Sequence, residues 1–386
     1  MFTRARLAAL LVALLGVHRA LSAAEPASVA DVLQPYVDRH ALAGAVTAVA
    51  TKDKVLRVDT VGYADIAAGR AMTPDTVFWI ASQSKPITAT ALMMLVDEGK
   101  VNLDDPVEKH LPEFAGQWLI AEKDAAHELL KKPGHPITVR NVLSHTSGLP
   151  FKSGIEQPTL DLWPLRARVL SYAITPLEFD PDHDYKYSNA GINTAGRIIE
   201  VVSGMPYENF LDERLFRPLG MKDTTFWPSG EQLKRLAKAY KPNQTKDGLQ
   251  ETPIAQLQYP LDDRSRQPMP AGGLFATAHD LVRFYQMLAG GGSLDGKKYL
   301  SPKAVDALTH RQTPEGLKES YGLGFKVEAA QANFGHGGAY GTNSTYDRET
   351  GLITIYLIQH EGFLVDGKEA LAAFKRAAAE RFAPTK

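Results

Sequence analysis

The chain has 386 residues, 43 of them lysine or arginine and 44 aspartate or glutamate, a formal charge of −1 and no cysteine. That length can bury a large core and points to two lobes. The near-neutral balance, with no basic run or stripe, excludes an electrostatic nucleic-acid binder; the missing cysteine excludes a disulfide framework, a thiolate metal site and a cysteine-linked lipid anchor.

Residues 1–24 read as a secretory signal rather than as part of the fold. Arg4 and Arg6 precede an apolar run over 7–17, and Ser22-Ala23-Ala24 offers small residues for a cut before Glu25-Pro26. The run is too short for a membrane span. His18 and Arg19 interrupt its downstream flank, which leaves the position of the cut open, and an uncleaved anchor is the alternative. Cleavage removes Arg4, Arg6 and Arg19 and no acid, taking 43 basic residues to 40 and the net charge to about −4. The expected location is the periplasm or the medium, with no stable membrane insertion afterwards.

Residues 29–39 carry Val29, Val32, Leu33 and Val37 on one face and predict an amphipathic helix. The run 44–51 is a buried-type strand, Lys52-Asp53-Lys54 a turn, and 55–63 an antiparallel partner. Val77-Phe78-Trp79-Ile80 is a short extended segment that feeds Ala81-Ser82-Gln83-Ser84-Lys85-Pro86, the start of a long apolar helix ended near Gly99. Pro86 marks the first turn, where its missing N–H costs little. Ser82 and Lys85, three positions apart, then share one helix face at a terminus rich in unpaired N–H groups. An ammonium in that field, shielded from water, is disfavoured. A neutral Lys85 amine can take the Ser82 proton, and the helix terminus favours an oxyanion. The spacing alone is equally that of a helix cap followed by a solvated lysine.

From Asp104 onward prolines cut the chain into short helices and loops. A helix over 138–143 runs into His145-Thr146-Ser147-Gly148-Leu149-Pro150, where Ser144, Thr146 and Ser147 offer His145 ordinary partners and a structural role. Further helices are expected over 192–202, 207–215 and 279–288, with a glycine turn over 270–277. No strand-rich run is visible between 104 and 290. Strand candidates return at 321–327, 332–336, 343–346 and 352–359, with a hairpin turn over 348–351 and a closing helix over 370–382. The expected class is α+β. An antiparallel sheet flanked by helices, built from residues 25–103 and 291–386, accepts an inserted and mostly helical lobe over 104–290.

Two more stretches bear on chemistry. Tyr187-Ser188-Asn189 lies on a loop entering a helix. A phenol near a cation ionises more readily, so Tyr187 is a candidate general base beside Lys85, and Asn189 a candidate holder of a substrate carbonyl or amide. The alternative is that Asn189 merely caps the next helix. A rival, Tyr207-Glu208-Asn209, sits inside an amphipathic helix and is set aside as packing. The other stretch, Phe334-Gly335-His336-Gly337-Gly338-Ala339-Tyr340-Gly341, has four glycines in seven residues between strands and permits close backbone approach. His336 is placed to donate to a substrate or to Tyr187; a tight turn with a surface histidine is the plainer reading. There is no Gly-x-Ser-x-Gly, no His-Glu-x-x-His and no phosphate-binding glycine loop.

Ser82-x-x-Lys85, Tyr187-x-Asn189 and His336-Gly337-Gly338, in that order and separation, resemble the three motifs of the serine β-lactamase and penicillin-binding-protein superfamily. The stretches 143–149 and 270–274 resemble its class C β-lactamase branch, which includes family VIII carboxylesterases and D-aminopeptidase-like enzymes. The resemblance covers nearly all of the chain after the signal and implies a β-lactamase/transpeptidase-like fold with no metal and no cofactor. It implies that Ser82 is acylated, that Lys85 and Tyr187 move its proton, and that the oxyanion is held by the backbone N–H groups of Ser82 and Ala339. Asn189, His336, Gly337 and Gly338 then bind the substrate, and water hydrolyses the acyl-enzyme with Tyr187 as activator.

One departure is informative. The family pattern at the third motif is Lys or His, then Thr or Ser, then Gly, and its hydroxyl and cation hold a substrate carboxylate. Here Gly337 has no hydroxyl and His336 is at best partly charged. A lost charge-assisted hydrogen bond is worth ~1.5–3 kcal/mol. The expectation is therefore a hydrolase of short neutral esters, with β-lactamase or D-amino-acid peptidase activity as the rival. A non-catalytic binder of peptidoglycan or an acylated ligand is the rival of another class. The expected partner is a small ester, lactam or amide, and the cleft walls are the loops over 151–165 and 240–266.

Overall fold

The computed structural model describes residues 28–328, 333–364 and 366–384; the expected signal over 1–24 lies outside them. A seven-stranded antiparallel sheet organises the chain. Its strands are β1 (Gly44–Ala50), β2 (Val55–Asp65), β3 (Arg70–Ala71), β4 (Lys326–Val327), β5 (Asn333–Gly337), β6 (Asn343–Asp347) and β7 (Leu352–Leu357). In space they run β4-β5-β6-β7-β1-β2-β3, so the last strand of the sequence pairs with the first.

The reason both chain ends meet lies in β1. All seven of its residues are buried, because both faces of the sheet are covered. Val46, Ala48 and Ala50 face one core, together with Ile353 and Ile355 of β7. Ala45 and Val49 face the other, with Leu352 and Tyr356 of β7 and Phe374 of the closing helix Ala370–Phe382. The register pairs Val46 with Leu357 and Ala48 with Ile355, so period-two patterning on two distant segments matches. The helix Ala278–Ala289 packs on the first face. The first core continues without a break into the helices of the middle segment.

Several expectations need correction. The helix expected over 29–39 is a 3-10 turn, Ala30–Val32, followed by a five-residue helix, Gln34–Asp38. Pro35 enters in the first turn of the second piece and lacks the N–H a continuous helix needs there. The strand expected over 321–327 pairs only at Lys326–Val327. Gly324, at φ +73°, turns the chain before it, with the Gly322 N–H donating to Phe325 O at 2.9 Å. The middle segment is not strand-free: Leu119–Lys123 pairs with Glu128–Lys131, and Ala239–Pro242 with Leu249–Thr252. Both hairpins are short, and the polar faces of the first and of Leu249–Thr252 stand largely in solvent, so they carry no apolar alternation to read.

Candidate active site

The chain enters the site through Phe78–Trp79, which pairs with Phe275–Ala276. Ala81 then takes φ +47°, a left-handed conformation rare for a residue with a side chain. Its surroundings hold it there. Ser84 Oγ donates to Ala81 O at 2.7 Å and accepts the Leu274 N–H at 3.2 Å. A 3-10 turn, Ala81–Gln83, leads into the helix Ser84–Asp97, so Ser82 stands in the first turn with its N–H free of an intrahelical partner.

Lys85 is fully buried. Its Nζ lies 3.1 Å from Ser82 Oγ, 2.8 Å from Asn189 Oδ1 and 2.7 Å from the Ala271 carbonyl. No carboxylate is among these contacts. Burial therefore pushes the ammonium well below its ordinary 10.5. A neutral amine fits the same geometry, since two N–H bonds point to Asn189 Oδ1 and Ala271 O and the lone pair remains for the Ser82 hydroxyl.

Tyr187 stands beside the same hydroxyl. Its phenol and Ser82 line the same cleft, and Lys85 Nζ lies 4.6 Å from its ring centroid. Burial raises the phenol far above 10, outweighing the neighbouring Ser82 hydroxyl, which lowers it. The expectation that a neighbouring cation would ease its ionisation is corrected here, because burial dominates and pushes the phenol up. Tyr187 is a neutral phenol, able to donate and relay.

The helix after Tyr187 is Asn189–Ser203, and Ser188 is its cap, accepting the Gly191 N–H at 3.0 Å. The cap is thus Ser188 and not Asn189, whose side chain turns to Lys85. His145 holds this loop: its Nδ1 accepts the Ser188 N–H at 3.2 Å, and its ring lies 4.6 Å from that of Tyr187. The partners foreseen for it, Ser144, Thr146 and Ser147, are not the ones it uses. Tyr207 is buried with its hydroxyl 2.7 Å from Thr88 Oγ1, a packing residue as expected.

The end of β5 closes the site. Gly338 lies so near the nucleophile turn that a Cβ would sit 2.5 Å from Ile80 O and 2.2 Å from Thr342 Oγ1. Gly337 is different, since a Cβ there meets nothing nearer than 3.5 Å. Ala339 is exposed beside them. His336 departs from its expected part. It is 3% exposed; Nε2 lies 3.0 Å from Tyr321 Oη and Nδ1 2.6 Å from Gly337 O. Both ring nitrogens are engaged inside the protein, so neither is offered to a substrate. Burial first, and Lys85 second, push its imidazole down to about 3, so it is neutral rather than partly charged.

Ser82, Tyr187, Tyr321, Gly337, Gly338 and Ala339 line one cleft of about 800 Å³. Lys85 and Asn189 lie beneath its floor. The two loops foreseen as walls touch each other: the Leu160 N–H donates to Gln256 O at 3.0 Å, and Arg266 pairs with Asp161 at 2.8 Å in a buried salt bridge. Sequence reasoning missed the Ala271 carbonyl and Tyr321. The first lay in a flagged glycine turn but is a backbone group; the second was absorbed into a strand.

The Beta-lactamase family profile matches residues 29–379. The chain belongs to this family. Within it, Protein Rv1367c of Mycobacterium tuberculosis (strain ATCC 25618 / H37Rv) is 33% identical over 377 residues, covering 87% of this chain and 90% of its own length. Esterase EstB of Burkholderia gladioli is 28% identical over 358 residues, 82% of this chain and 86% of EstB. Among solved structures, EstCE1, a hydrolase with promiscuous acyltransferase activity, shares the fold at TM-score 0.76 and 23% identity, covering 91% of this chain and 97% of its own. The α+β class with its antiparallel sheet is that of these neighbours. No helix among the described residues is long and apolar enough to cross a membrane.

Proposed function

We propose that this Beta-lactamase family member is an exported serine hydrolase that acts through an acyl-enzyme on Ser82 and prefers short-chain neutral esters. The observation that carries the reading is the buried Lys85 amine 3.1 Å from the Ser82 hydroxyl, with its two other contacts both acceptors. Lys85 takes the Ser82 proton as Oγ attacks the ester carbonyl, and the N–H groups of Ser82 and Ala339 hold the oxyanion. Tyr187, a neutral phenol lining the cleft beside Ser82, gives its proton to the departing alkoxide and takes in its place the one Lys85 holds. Water then attacks the acyl-enzyme and its proton passes through Tyr187 to Lys85; as the Oγ–acyl bond breaks, Lys85 returns a proton to Ser82 Oγ, which restores the neutral amine and the free hydroxyl.

The preference for neutral esters is supported by what the third motif lacks. A neutral, fully engaged His336 and a bare Gly337 give a substrate carboxylate neither cation nor hydroxyl. EstB, an esterase, is a relative over most of both chains. Export is supported by the charged and apolar pattern of residues 1–24.

The test is a fluorophosphonate probe followed by mass spectrometry, beside a panel of a short nitrophenyl ester, a chromogenic lactam and a D-amino amide. Labelling at Ser82, lost in Ser82→Ala, with the highest kcat/KM on the ester, is the expected result. A higher kcat/KM on the lactam or amide overturns the substrate preference, and absence of labelling favours the non-catalytic binder. N-terminal sequencing of protein from the periplasmic fraction checks the export.

A further inference from the structure

The Ala271 carbonyl that accepts from Lys85 is fixed by a buried chain of hydrogen bonds. The Ala271 N–H donates to Asn193 Oδ1 at 3.1 Å, Asn193 Nδ2 donates to Tyr172 Oη at 3.0 Å, and the Tyr172 hydroxyl donates to Glu156 Oε1 at 2.8 Å. Glu156 Oε2 accepts the Ser153 N–H at 2.9 Å. Asn193 and Tyr172 are 0% exposed and Glu156 is 1% exposed. Asn193 stands one turn beyond Asn189 on the same helix, Tyr172 on the helix Leu165–Ile174, and Glu156 in the loop over 151–165.

The order of donors follows from the end of the chain. A carboxylate only accepts, so the Tyr172 hydroxyl points at Glu156 and its oxygen is left to accept from Asn193 Nδ2. That turns Asn193 Oδ1 towards the Ala271 N–H. From Lys85 outward every bond then donates in the same sense, Lys85 to Ala271, Ala271 to Asn193, Asn193 to Tyr172, Tyr172 to Glu156. Bonds aligned this way in a low-dielectric interior strengthen one another.

We propose that Asn193, Tyr172 and Glu156 are positioning residues for Lys85: they lock the Ala271 carbonyl against the amine, and so fix where its lone pair points and how readily it holds a proton. The proposal rests on the acyl-enzyme reading above. The other ionisable neighbours are few. Arg168 is the cation beside Tyr172 and Glu156, fully buried and bonded to the carbonyls of Leu160 and Pro268. Around Lys85 stand Tyr187, His145 and His336.

Tyr172→Phe removes one oxygen and tests this. Freed from Tyr172, the Asn193 amide can rotate, and the amine loses an anchored acceptor that favoured its charged form. The expected result is labelling of Ser82 slowed by roughly ten- to a hundredfold, an equal fall in kcat on a nitrophenyl ester with KM within about threefold, and an acid limb of kcat/KM displaced to lower pH. Glu156→Leu behaves alike, whereas Glu156→Gln keeps an acceptor for Tyr172 and restores most of the rate. A purely structural part lowers the melting temperature and leaves the acid limb where it was. An unmoved limb in Tyr172→Phe, or Glu156→Leu within about twofold of wild type, overturns the proposal whatever the melting temperatures. Carbon-13 NMR of lysine-labelled protein, with Lys85 assigned by Lys85→Arg, reads the same midpoint without turnover. If the wild type neither labels nor turns over, the acyl-enzyme reading fails, and the NMR midpoint of Tyr172→Phe still decides this one.

Discussion

The Tyr321 hydroxyl lies 3.0 Å from Nε2 of His336, whose other nitrogen meets the Gly337 carbonyl at 2.6 Å. The histidine of the third motif is therefore a brace between a buried tyrosine and the glycine strand. With Nδ1–H donating to Gly337 O, Nε2 accepts from Tyr321. Tyr321→Phe leaves Nε2 buried without a donor and is expected to cost ~1–3 kcal/mol of stability. It also loosens the strand that carries Ala339, so kcat falls while KM changes little. Urea unfolding and ester kinetics on the variant check both effects; unchanged stability refutes the brace.

Buried neutral histidines set the acid stability. His336 is pushed down to about 3 and His360 to about 4, in both cases by burial first, and His145 well below 6.5 for the same reason. In the unfolded chain each titrates near 6.5, so the unfolded state binds more protons than the folded one below that pH. The stability they contribute is complete above pH ~6.5 and is lost as pH falls towards the folded values. His336 and His360 together give a slope of about 2.5 kcal/mol per pH unit near pH 5, and His145 adds to it in the same direction. Urea midpoints measured from pH 7 down to 4.5 check this, and stability that stays flat to pH 5 contradicts it.

Lys85 and Tyr187 predict the pH dependence of activity. The Lys85 midpoint lies well below 10.5 and that of Tyr187 far above 10. kcat/KM should rise with pH as Lys85 loses its proton, then stay level through pH ~9, because Tyr187 does not ionise there. Lys85→Met is expected to lose at least ~10³-fold in kcat/KM, and Tyr187→Phe ~10²–10⁴-fold, with Ser82 still present in both. A fall in rate between pH 8 and 9 that vanishes in Tyr187→Phe would show that the phenol titrates and that its burial has been misjudged.

Gly337 and Gly338 are adjacent and should respond oppositely. Gly337→Thr has room, with its Cβ no nearer than 3.5 Å to any atom beyond its chain neighbours, and it restores the hydroxyl that the family pattern carries. It should raise kcat/KM on a carboxylate-bearing lactam by roughly tenfold while leaving the ester rate within about twofold. Gly338→Ala forces a methyl to within 2.5 Å of Ile80 O, so it should lower both activities and the melting temperature. Equal behaviour of the two variants refutes the reading of this strand.

How much was legible depended on which atoms carried the information. The spacing from Ser82 to Lys85 and the polar triplet at Tyr187 are side-chain signals, and the fold brings both to one cleft. The continuous apolar runs of β1 and β7 announced the sheet because both faces of it are buried. The Ala271 carbonyl had no sign in the sequence, since any residue has a carbonyl and only the glycine turn decides where it points. Tyr321 was hidden by Gly322 and Gly324, which end a strand that its apolar neighbours suggested. The cap weighed as the alternative for Asn189 falls instead to Ser188, one position earlier, which competes for the same role. The two small hairpins escaped because solvent-facing strands need no apolar period. His336 was misjudged through its partners, as nothing in the local sequence says that a tyrosine fifteen residues earlier takes one of its nitrogens.

The isolation of the Lys85 amine has a consequence for the reaction cycle proposed above. Its polar contacts are Ser82, Asn189 and Ala271, of which only Ser82 can exchange a proton with it, and Ser82 shares its cleft with Tyr187. A proton taken at the start of acylation therefore leaves the amine on its Ser82 side, towards the cleft. Burial disfavours the charged amine, so the interior that opposes protonation of Lys85 also drives the proton forward once it has been taken.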